Sequence, residues 1–145
     1  MSDGLWHVFR LTTYENYNYM KRTLLLLPVF FIAISSFAQA GIDDVISAMK
    51  SGNASGVTKY FDSYVDITMP DKSSNYSKSQ GELIIKDFFT NSGVKNFDVK
   101  HKGNNDNGDY CIGTLQTKNG SYRTTVYMRL KGNKQVIQDI RIQQL

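Results

Sequence analysis

Acid–base chemistry in a small domain needs a carboxylate or an imidazole aimed at a shielded substrate atom, and few residues of this chain qualify. Asp66 stands in the alternating run Tyr64-Val65-Asp66-Ile67-Thr68-Met69, which reads as a strand stopped by Pro70. A carboxylate there could accept a proton if a hydroxyl across a cavity held the resulting oxyanion. Tyr60, Tyr64 and Tyr110 are the candidate donors. The plainer alternative leaves Asp66 exposed and the tyrosines at the core edge, with their hydroxyls in water. His101, with only His7 besides it in the chain, carries an imidazole that could serve alone as acid or base. Its strand parity matches Phe97 and Val99, which places it inward, lining a pocket or capping the sheet end.

Cys111 and His101 would make a nucleophilic pair if they shared a face, and parity argues both ways. A two-residue turn at Asn119-Gly120 sets Cys111, Gly113 and Leu115 on the face of Tyr122, Thr124, Val126 and Met128. A two-residue turn at Asn107-Gly108 instead sets Tyr110 and Ile112 with Phe97, Val99 and His101. If Val126 and Phe97 both face the core, one turn is longer or a bulge intervenes. Nothing nearby would activate the thiol, so a small buried side chain is the reading adopted.

Metal chemistry finds little support. One histidine in the folded part, with no His-x-His or Glu-x-x-His spacing, cannot build a zinc site alone. The loop Gly103-Asn104-Asn105-Asp106-Asn107-Gly108 is calcium-like in composition, but it lacks the leading carboxylate and the closing glutamate of such a loop. It is read as a hairpin loop, and no metal or cofactor is expected.

The remaining chemistry is a surface. Arg123, Thr125, Tyr127, Arg129 and Lys131 share one strand face, and Asp139 and Arg141 share parity on the next strand. Such a face could dock an anionic ligand, an envelope glycan or a second copy of the chain. Its bland counterpart is a solvated sheet face with cross-strand charge pairs, each contributing a few tenths of a kcal/mol. Interface candidates are therefore Arg123, Tyr127, Arg129 and Arg141.

The elements that position these residues occupy only part of the chain. The apolar stretch Thr23–Ile34 follows Lys21-Arg22 and ends in Ser35-Ser36-Phe37-Ala38-Gln39-Ala40, the three parts of a secretory signal peptide. Its core is short of the ~20 residues of a spanning helix, and Pro28 interrupts it. Residues 20–40 are thus expected to be a signal cleaved after Ala40, with Met20 as initiator and residues 1–19 a mis-called upstream extension. The remainder is one domain, 41–145, carrying 14 basic and 11 acidic residues and a single cysteine. That excess is too small for a dedicated nucleic-acid binder, and one cysteine excludes a disulfide framework.

Within it, Ile42, Val45, Ile46 and Met49 form one helical stripe, with Asp43 and Asp44 in the first turn and Lys50 in the last. Asn53 can cap a second helix presenting Ala54, Val57, Thr58 and Phe61. The strand through Asp66 is followed by a short polar excursion. Ser79-Gln80-Gly81-Glu82 reads as a capping box for a third helix carrying Ile84, Ile85, Phe88 and Phe89. Then come four alternating stretches, 94–104, 109–118, 121–131 and 135–144, separated by Asn107-Gly108, Asn119-Gly120 and Gly132-Asn133. The expectation is an α+β domain with helices packed on one face of a curved antiparallel sheet.

This order, with the Tyr60-Phe61…Asp66-Ile67 passage and the closing run Val136-Ile137-Gln138-Asp139-Ile140-Arg141-Ile142, resembles the nuclear transport factor 2-like (cystatin-like) fold. It resembles in particular secreted families of Gram-negative bacteria known only as domains of unknown function. The resemblance implies a cone-shaped pocket between helices and sheet. Enzymes similar to ketosteroid isomerases place a carboxylate on its first strand, often just before a proline; here that place holds Met69, which cannot accept a proton. The chain therefore reads as an exported, non-catalytic module binding a small ligand or an envelope protein, with a possible homodimer through the sheet face. The rival is a small isomerase- or hydrolase-type enzyme using Asp66 or His101.

Overall fold

A computed structural model of the protein describes residues 40–145. The expected upstream extension and the signal peptide up to residue 39 lie outside the described residues. Helix α1 (Ala40–Lys50) buries Ile42, Val45, Ile46 and Met49, the stripe that the spacing predicts. Helix α2 (Ala54–Thr58) is capped by Asn53, whose Oδ1 accepts from the Gly56 amide at 3.0 Å. It is shorter than expected, and Phe61 belongs instead to strand β1 (Phe61–Thr68).

The polar excursion is a strand. Met69 and Lys72 exchange backbone hydrogen bonds around Pro70-Asp71, and β2 (Ser73–Ser77) folds back antiparallel onto β1. Its residues are polar because the strand lies at a sheet edge and has little to bury. Ending β2 at Ser77 also moves the helix start. In α3 (Lys78–Ser92) the capping box is Ser77 with Gln80, not Ser79 with Glu82; both fit the same spacing, and the strand end selects the first. Gly93 closes α3 in the left-handed region, with φ 63°.

Strands β3 (Val94–Asn105), β4 (Gly108–Thr117), β5 (Gly120–Lys131) and β6 (Lys134–Gln144) form the antiparallel meander. Two of its two-residue turns fall one residue earlier than the Asn-Gly pairs suggest, at Asp106-Asn107 and Lys118-Asn119; Gly132-Asn133 is where expected. Gly108 and Gly120 thereby begin strands with φ values of 126° and 134°. The six strands lie in the order β2-β1-β6-β5-β4-β3, and β1 runs parallel to β6, so the sheet is mixed rather than wholly antiparallel.

Bulges give the sheet its curvature and set its faces. Lys95 and Lys100 are extra residues on β3, and Gln138 is extra on β6. The last explains why Ile137 and Ile140, three apart, are both buried. The helices cover one face, where Val45, Met49, Val57, Val65, Ile67, Ile85, Phe97, Leu115, Val126, Ile137, Ile140 and Ile142 are buried together. Gly113 lies under the Phe97 ring: a Cβ there would meet Phe97 Cζ at 2.6 Å.

Candidate functional site

The bulge at Lys100 resolves the conflict of parities. Before it, Phe97 pairs with Leu115 and Val99 with Gly113; after it, His101 pairs with Ile112 and Lys102 with Cys111. Tyr110 and Ile112 therefore share the face of His101, whereas Phe97 and Val99 share that of Leu115 and Gly113. Lys102 is on the helix side, where its Nζ meets Asp43 Oδ1 at 2.6 Å. His101 is turned to the outer face and exposed, which overturns its expected inward position.

Cys111 is fully buried on the core face, opposite in direction to His101, so the two cannot act as a pair. Burial pushes its thiol up to about 12, keeping it protonated and inert. Cys111 should resist a thiol reagent in the native protein and react fully in denaturant. Native reaction at the rate of a free thiol would refute the placement.

The pocket-lining candidates scatter in the same way. Tyr60 packs beside the core and donates its hydroxyl to Asp44 Oδ2; burial, then this bond, raise the phenol to about 12. Tyr64 is 66% exposed. Asp66 is exposed on the outer face, where Asn75 Nδ2 donates to its Oδ1 at 2.7 Å. Among the described residues, none of them lines a cleft between helices and sheet. Asp66 and His101 do share the outer face, but β6, β5 and β4 intervene, so about 19 Å separates their strands at ~4.8 Å each. They cannot serve one reacting atom.

What the outer face does bring together is a row across all six strands. Asn75, Asp66, Asp139, Tyr127, Tyr110 and Gly103 are successive cross-strand partners. The Tyr110 and Tyr127 rings lie 6.2 Å apart, tilted by 35°. The Arg141 guanidinium sits 5.8 Å from the Tyr127 centroid and donates to Asp139 Oδ2 from Nε (2.8 Å) and a terminal nitrogen (2.6 Å). This carboxylate raises the Arg141 pKa further. Tyr110 fits because Gly103 has no side chain: a Cβ there would lie 2.7 Å from the tyrosine oxygen. Over the row opens a cleft of about 860 Å³, lined by Asp66, Tyr127, Arg129, Leu130, Gln138, Asp139 and Arg141 and walled by residues 104–109 of the β3–β4 hairpin.

Arg129 has a partner that periodicity does not single out. Asp62, at the irregular start of β1, is 7% exposed and binds Arg129 at 2.8 Å and Lys131 at 2.6 Å. The Ser63 amide adds a third donor at 2.7 Å. Hydrogen bonds from Lys131, Arg129 and Ser63 hold the Asp62 carboxyl well below the usual carboxylate range. Its only sequence signal is an acidic residue at a helix-to-strand junction. Among the described residues no group of three or more His, Cys, Asp or Glu side chains could hold a metal ion, and no helix is long and apolar enough to cross a membrane.

Comparison with known proteins agrees with this architecture. Two solved structures from the same family resemble the chain over most of its described length. One, from Bacteroides uniformis, is 37% identical with a TM-score of 0.68, covering 71% of this chain and 95% of that one. The other, from Bacteroides ovatus, is 32% identical with a TM-score of 0.67, covering 70% and 93%. An NTF2-like protein of unknown function from Cytophaga hutchinsonii shares only 10% identity at a TM-score of 0.55, covering 74% and 89%, and so shares the fold alone. No curated protein sequence matches significantly. The sequence profile of DUF4783, a domain of unknown function, matches residues 42–143, and the chain belongs to that family, with an NTF2-like α+β fold.

Proposed function

We propose that the domain is an exported, non-catalytic interaction module whose working surface is the outer face of the sheet. The observation that carries this reading is the Tyr110–Tyr127–Arg141–Asp139 ladder, held ready on an exposed face beneath an open cleft. Tyrosine and arginine dominate the energetics of protein contacts, and side chains already fixed lose little entropy on binding. Export is supported by the basic, apolar and small-residue succession of residues 21–40. A reaction using Asp66 together with His101 gains no support from a geometry that keeps the two strands about 19 Å apart.

Native mass spectrometry of the protein recovered from its own cells tests this. The mass should begin at Gly41 and include a retained ligand, a partner or a second copy. In a Tyr127→Ala/Arg141→Ala variant that species should be lost while the melting temperature stays within a few degrees of wild type. Retention of the same species by the folded variant would move the working surface elsewhere, and a chain starting at Met1 or Met20 would remove the export reading.

A further inference from the structure

We propose that the outer-face cleft docks a cationic polypeptide segment, one carrying arginine or lysine side chains. The inference rests on the interaction-module reading and adds the chemistry of the partner. It follows from how the charges of the face are already used. Four carboxylates line the cleft, Asp66, Asp106, Asp109 and Asp139, against two guanidinium groups, Arg129 and Arg141. Both guanidinium groups are committed: Arg141 to Asp139, and Arg129 downward to the buried Asp62, which Lys131 also engages. Asp66 and Asp109 accept only from neutral amides, Asn75 in the first case and Asn104 and Gln135 in the second. Among the described residues no cation lies within 4.0 Å of Asp66, Asp106 or Asp109.

The cleft is therefore acidic in a domain whose overall charge is positive, with 14 basic residues against 11 acidic. Among the described residues that line it, an anionic ligand meets only guanidinium groups already paired with carboxylates. A cationic one is repelled by the molecule as a whole and attracted at this place, which is how charge complementarity selects an orientation. The face also supplies its own example of guanidinium binding, since Arg141 lies over Tyr127 with its charge against Asp139. An incoming arginine would repeat that arrangement beside Asp66. The row spans the whole sheet, so an extended segment can lie along it, whereas a single amine would leave most of the cleft empty.

Fluorescence anisotropy with a labelled peptide of alternating arginine and glycine tests the proposal on the protein purified from its own cells. A matching glutamate–glycine peptide and a neutral oligosaccharide serve as comparisons. The arginine peptide should bind, with affinity falling as salt rises. An Asp66→Asn/Asp106→Asn variant should bind it about tenfold more weakly. An Asp71→Asn/Asp87→Asn variant makes the same charge change at exposed positions outside the cleft, and should bind as wild type does. Equal weakening in both variants would reduce the effect to net charge and overturn the proposal. Absence of arginine-peptide binding would overturn it too, as would equal binding of the glutamate peptide. If the oligosaccharide or a second copy binds instead, and Asp66→Asn/Asp106→Asn abolishes that binding, the interaction face stands and its cationic chemistry falls. If no probe binds and no species is retained from cells, both fall together.

Discussion

Truncating Phe97 to alanine should cost about 3–5 kcal/mol, the usual range for removing a buried aromatic ring. The ring is fully buried, pairs across the sheet with Leu115 and covers the backbone of Gly113. No side chain at position 113 can fill the space from below, so the cavity would persist. A domain of this size is commonly stable by only 5–15 kcal/mol, and its single cysteine leaves it without a disulfide. Urea unfolding should report a lower midpoint with an unchanged slope. Phe97→Leu should lose markedly less, whereas Gly113→Ala should destabilise by the opposite route, forcing the ring off its seat. A loss below about 1 kcal/mol for the alanine variant would mean that β3 does not close the core as described.

The second large effect is expected at Asp62. Replacing it with asparagine keeps the shape and removes the charge that Arg129 and Lys131 share. Both cations are about half exposed and can turn to water, so the loss should be about 2 kcal/mol rather than that of a fully buried pair. The pH dependence gives the sharper test. Asp62 ionises in the folded state well below its unfolded value of about 3.9, so its contribution is complete above that pH. It is lost as the pH falls toward the folded-state value. Between about pH 4 and pH 2 the wild type should therefore lose stability faster than Asp62→Asn, and the two melting curves should converge. Parallel loss in both proteins would show that Asp62 is not the group held.

Much of the architecture is legible in the sequence because burial writes itself as period. The stripe Ile42, Val45, Ile46, Met49 and the alternation of Tyr122, Thr124, Val126 and Met128 both appear in the structure as read. Bulges carry no such signature. Lys100 is an ordinary residue in an alternating strand, yet inserting it reverses every side chain beyond, which is why parity puts His101 on the wrong face and Cys111 on the right one. Local signals also have duplicates. Ser77 and Ser79 each begin a capping-box spacing, and only the end of β2 decides between them. The outer face is half visible: Tyr127 and Arg141 emerge from parity, but the engagement of Arg129 with Asp62 spans 67 positions and depends on the irregular start of β1. For Asp66 the exposed alternative is the correct one. Alternation on one strand cannot supply its company, Asn75 and Asp139 from strands on either side.

The two bulges of β3 have an effect unrelated to ligand or partner. By strand order β3 is an outermost strand, and at 12 residues it is long enough to template the addition of a neighbouring molecule. Each bulge interrupts its row of amides and carbonyls, and at each the inserted residue is a lysine. The opposite border, β2, is only five residues long and polar. Among the described residues, both margins of the sheet thus carry features that discourage end-to-end growth through its edges.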